Sequence, residues 1–120
     1  YHRQGKKMTI RLKTIAAVLV IGLAAAASVR AEDVPTFKVE VGDNAITPQT
    51  LEVPANKPFR LEVRNTAKTP IEFESNDLRK EKVLAPGASS VLTFKKVSPG
   101  EYTFFDEFHP STPKMKLIAK

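Results

Sequence analysis

Five side chains in this 120-residue sequence have the type and the placement to hold a metal ion: Glu72, Glu74, Asp106, His109 and Met115. Three of them share one segment, GEYTFFDEFHPSTPKMKLIAK, from Gly100 to Lys120. Tyr102 and Phe104 alternate with Thr103 and Phe105, so they are expected to face a core. Asp106, two residues on, then leans inward with them. His109 follows in the next loop, and Met115 opens the last run on the side of Leu117. A carboxylate oxygen, an imidazole nitrogen and a thioether sulfur around one loop make a ligand set for a copper or iron ion. Glu72 and Glu74 flank Phe73. If Phe73 faces the core, the two carboxylates face away together, about 7 Å apart, and can clamp one cation or stand solvated.

Ordinary roles for the same residues stay open. Glu72 and Glu74 fit a polar sheet face. Asp106 fits an acid that accepts backbone N–H bonds at a strand end, because a buried carboxylate must be satisfied by something. His109 fits an exposed loop position before Pro110, and Met115 fits a core filler. Arg79, Lys80 and Lys82, interrupted by Glu81, read as a solvated basic group, with partner docking as a minor option.

The sequence has no cysteine and no tryptophan. That excludes a disulfide scaffold, a zinc ribbon, an iron–sulfur centre, a thiol nucleophile and the thiolate of a blue-copper site. Beyond residue 31 there is one histidine, His109, and with no serine or cysteine motif around it that offers no hydrolytic triad. Enzymatic activity is therefore not expected, although a ferroxidase-like oxidation of a bound ion stays open.

Short alternating runs must position these residues. Phe37, Val39 and Val41 alternate with Lys38 and Glu40; Phe59, Leu61 and Val63 alternate with Arg60, Glu62 and Arg64; Ile71 and Phe73 alternate with the two glutamates. Further runs hold Leu92 and Phe94, Tyr102 and Phe104, and Met115, Leu117 and Ala119. Gly42-Asp43-Asn44, Ala85-Pro86-Gly87 and Ser98-Pro99-Gly100 supply turn chemistry between them. Thr47-Pro48 and Val53-Pro54 mark an edge strand or an extended connection. The stretch 75–82 reads as a helical turn or a loop. No helical period is convincing, so the expected fold is an all-β Greek-key β-sandwich of about seven or eight strands.

The stretch Met8 to Ala31 has the layout of a cleavable secretory signal peptide. Arg11 and Lys13 precede an apolar run from Thr14 to Ala27, and Val29-Arg30-Ala31 offers a cleavage site. The run is shorter than the roughly 20 residues of a spanning helix. Residues 1–31 are thus expected to be an upstream extension plus leader, and 32–120 a single exported, periplasmic domain. The formal charge is +6, from 19 basic and 13 acidic residues. Arg3, Lys6, Lys7, Arg11, Lys13 and Arg30 all precede residue 32, and no acid does. Nineteen less these six leaves 13 basic against 13 acidic residues in 32–120. A net charge of zero leaves no electrostatic footprint for nucleic acid.

The closing segment resembles the cupredoxin ligand loop, in which a Gly-x-Tyr strand leads to a cysteine, a histidine three residues on and a methionine. Asp106 stands at the cysteine position, His109 keeps its offset, and Ile71, after Asn65 and Pro70, stands where a ligand histidine would be. The nearly whole-length frame ITPQTLEVPANKPFRLEV, N…PIEFES, LAPG, SPGEY and KLI is similar to the EfeO-type cupredoxin-like domain family. That resemblance implies a cupredoxin-like fold and a copper or iron ion held partly by Glu72 and Glu74. It also implies cysteine ligands at the positions of Ile46 and Asp106, from which this chain departs. It further implies a place in bacterial iron uptake, with a membrane iron permease or a periplasmic iron-binding protein as partner. A metal-free binding or assembly module on the same frame is the alternative.

Overall fold

Period-two alternation buries one side of each strand, and two such half-buried sheets must cover one another. The computed structural model describes residues 33–120, and the expected leader lies outside them. Nine strands form: β1 (Thr36–Val41), β2 (Ile46–Thr47), β3 (Thr50–Val53), β4 (Phe59–Asn65), β5 (Ile71–Ser75), β6 (Lys80–Leu84), β7 (Ser89–Phe94), β8 (Gly100–Asp106) and β9 (Met115–Ala119). One sheet has the order β2-β1-β4-β7, the other β3-β9-β8-β5-β6. The pairs β1–β4 and β3–β9 are parallel and the remaining pairs antiparallel. Among the described residues no helix is long and apolar enough to cross a membrane.

The inner faces are the ones the alternation assigns. Val39 and Val41, Phe59, Leu61 and Val63, Ile71 and Phe73, and Met115, Leu117 and Ala119 are all buried. Four phenylalanines join the layers. Phe59 stacks on Phe94 within one sheet at 4.7 Å, and Phe73 on Phe104 within the other at 4.5 Å. Phe94 then meets Phe104 edge-on at 6.5 Å across the sandwich. Offset and edge-on arrangements suit the ring quadrupoles and add to simple burial.

The all-β sandwich is as expected, with nine strands in place of seven or eight. Part of the difference lies in 75–82. Residues 76–79 form a turn, with Arg79 in the left-handed region (φ 55°), and the chain then enters β6. β6 is a sheet edge and buries only Leu84, so it carries no hydrophobic alternation to read. The segment marked by prolines behaves as expected: β3 ends at Val53, before Pro54, and is the opposite edge of the same sheet. At Ala85-Pro86-Gly87, Gly87 takes φ +81° and the Ala88 amide closes a turn onto the Ala85 carbonyl at 3.0 Å.

Candidate metal centre

Register decides which candidate ligands can meet. β5 and β8 pair Phe73 with Asp106 and Glu74 with Phe105. Directly opposed residues share a face, so Asp106 lies on the inner face with Phe73, while Glu72 and Glu74 lie on the outer face with Phe105. The five candidate ligands therefore separate into an inner group and an outer group.

Asp106 is 1% exposed and fully partnered. Its Oδ1 accepts the backbone N–H groups of Glu72 and Phe108, each at 3.1 Å. Its Oδ2 lies 2.7 Å from His109 Nδ1. The His109 amide bonds back to the Asp106 carbonyl at 3.1 Å, and Thr112 N–H closes a second turn onto the His109 carbonyl at 2.9 Å. The other imidazole nitrogen, Nε2, lies 3.0 Å from Thr69 Oγ1, in the connection between β4 and β5. With Asp106 as a carboxylate, Nδ1 donates to it, and in the neutral imidazole Nε2 then accepts from the Thr69 hydroxyl. A carboxylate, an imidazole and a hydroxyl thus form a continuous row that ties the closing loop to its neighbour. Met115 is wholly buried opposite Phe104 and belongs to the hydrophobic core.

Asn65 shapes the loop that presents Thr69. It is wholly buried, donates through Nδ2 to the carbonyls of Thr69 and Leu84 at 2.9 Å each, and accepts the Ala67 amide at 2.7 Å. Spacing along the chain gave no reason to select Thr69, which comes 40 residues before His109.

On the outer face, β6 sets Glu81 directly opposite Glu74. Glu72, Glu74 and Glu81 each present a carboxylate oxygen within 4.8 Å of the other two. Glu72 and Glu74 are half-buried and Glu81 is exposed. The crowding moves their proton affinities. Glu72 is held above the ordinary carboxylate range by partial desolvation first, then by the charges of Glu74, Glu81 and Glu107 and a hydrogen bond with Glu81. Glu74 is raised by partial desolvation first, then by Glu107 and Glu81. Glu107 is fixed beside them because its amide bonds to the Glu72 carbonyl at 2.9 Å. Three converging carboxylates that repel one another are an oxygen donor set for a hard or borderline cation. Sequence spacing points to neither Glu81 nor Glu107. Glu81 was hidden because 75–82 did not read as a strand, and its only signal was a third acid near the Glu-Phe-Glu run.

A model of the cupredoxin-like domain matches residues 6–119. The chain belongs to the cupredoxin-like domain family. The uncharacterized protein RP394 of Rickettsia prowazekii is 32% identical over 88 residues, covering 73% of this chain and 70% of that one. Solved cupredoxin folds align as well. Auracyanin from Roseiflexus castenholzii has a TM-score of 0.59 at 19% identity, covering 71% of this chain and 96% of that one. The purple cupredoxin of Nitrosopumilus maritimus has a TM-score of 0.53 at 16% identity, covering 70% and 99%. A copper binding protein in its apo form has a TM-score of 0.61 at 20% identity, covering 71% and 86%.

The family implies copper, and the loop end of this cupredoxin-like domain does not fit a blue-copper centre. The sequence has no thiolate. Ile46 and Ile71, at two ligand positions implied by the resemblance, are wholly buried core residues with no donor atom. Asp106 and His109 already satisfy one another at hydrogen-bond distance. The carboxylate cluster on the outer face is where the donor chemistry suits a cation.

Proposed function

We propose that this cupredoxin-like protein is a periplasmic metal-binding protein that assists iron or copper acquisition, holding the ion and passing it to a membrane transport system. The observation that carries this reading is the convergence of Glu72, Glu74 and Glu81 within 4.8 Å on the outer face of the five-stranded sheet. Partial desolvation first, and then mutual repulsion, raises the Glu72 and Glu74 carboxyls, and a bound cation relieves the repulsion. Because the cluster is partly open to water, an ion can enter and leave without unfolding the sandwich. A membrane iron permease or a periplasmic iron-binding protein is the partner this role needs. The signal-peptide layout of Met8 to Ala31 supports export.

A strain lacking this protein should grow poorly when iron or copper is scarce. The native sequence should restore growth, and a Glu74→Gln/Glu81→Gln variant, expressed and exported to the same level, should not. Full rescue by that variant would remove the cluster from the function. The second reading is a metal-free binding module, favoured by the complete internal satisfaction of Asp106 and His109. Under that reading the variant rescues growth and the protein binds no ion.

A further inference from the structure

β6 and β7, an edge strand of each sheet, come close to one another. A cleft of about 360 Å³ lies there. The cleft is more than half open to solvent, so a small ligand held there stays partly exposed. Its apolar part comes from Leu78, Phe94 and Val97, and its rim from Lys80, Lys95 and Lys96, with no acidic residue lining it. The Lys80 ammonium is held in place, donating to the Thr93 carbonyl at 3.1 Å and sitting 5.0 Å from the centre of the Phe94 ring. Lys95 and Lys96 are exposed and meet no carboxylate among the described residues.

We propose that this cleft binds a small amphipathic anion, an aliphatic carboxylate whose head meets the lysine ammonium groups and whose chain lies on half-buried Leu78 and the lysine stems, over a floor formed by the buried Phe94 and Val97. Three ammonium groups without an acid select a negative head and repel a free metal cation. The lysine stems extend the apolar wall toward solvent. Phe94 is only 5% exposed and already stacked on Phe59, so it has no free face for a planar base. That favours an alkyl body over a nucleotide. The site is separate from the carboxylate cluster and does not depend on it.

The test is a titration of ¹⁵N-labelled protein with octanoate, followed by NMR and repeated with octanol, which has the same chain without the charge. Octanoate should saturate, with amide shifts concentrated at residues 78–80 and 93–97. Octanol should bind more weakly by about tenfold or more. A Lys95→Glu/Lys96→Glu variant with an otherwise unchanged spectrum should lose octanoate affinity by a similar factor. Non-saturating shifts, shifts centred elsewhere, or equal binding of octanol to the unaltered protein would overturn the proposal.

Discussion

Asp106 is the most constrained polar residue of the closing loop. Two backbone amides and one imidazole N–H converge on a carboxylate with no accessible side-chain surface. Replacing it with alanine strands these donors next to the core. We expect Asp106→Ala to cost about 3 kcal/mol, read as a lower urea midpoint. Asp106→Asn keeps an oxygen for the two amides and should cost less. On the outer face the sign is opposite. The folded-state carboxyls of Glu72 and Glu74 lie above their ordinary value of 4.5. In the window just above that value the native state binds more protons than the unfolded chain, so stability falls as pH rises through it. Glu81→Gln should therefore raise Tm at pH 7, and the gain should vanish once pH drops below the ordinary carboxylate value. A variant that melts at the same temperature as the parent at pH 7 and low salt would show that the three charges do not interact.

At the scale of elements, the strands and loops decide which residues can cooperate. Asn65 joins the end of β4 to the Thr69 carbonyl, to the Ala67 amide and to the end of β6 through three hydrogen bonds, two of them buried. Asn65→Ala should cost about 2–3 kcal/mol and should loosen the Thr69–His109 contact, visible as faster amide exchange in 66–70 and 107–112. Most strands were legible because their alternation matches their burial: β4 and β5 bury every second residue. β6 was not legible, because an exposed edge has no apolar pattern to display. The same blind spot hid Glu81. Parity along β8 did reveal that Asp106 turns inward, and chain proximity placed His109 near it. Parity likewise turned Glu72 and Glu74 away from the core, given an inward Phe73; what spacing did not show is which residues of β8 lie opposite them. The β5–β8 register settles this, and register is a property of the assembled sheet.

The whole molecule separates its charges by location. The chain beyond residue 31 is neutral in sum, yet four glutamates crowd the outer face of one sheet while three lysines rim the cleft beside β6 and β7. With zero net charge, the chain beyond residue 31 has no overall electrostatic pull toward polyanions. Its core does not use the metal. Among the described residues, seventeen buried apolar side chains hold the sandwich, so the ion-free protein should be folded. A cation present at about 100 times its Kd should then add only about 2.7 kcal/mol of stability. Calorimetric titration of the protein with Fe(II), Cu(II) and anaerobic Cu(I), beside Glu74→Gln/Glu81→Gln and His109→Ala, tests the metal site most directly. We predict saturation near one equivalent with Fe(II) or Cu(II), abolished by the glutamine pair and retained in His109→Ala. Silence with all three ions from folded protein, or binding that survives the glutamine pair and disappears with His109, would contradict the carboxylate site.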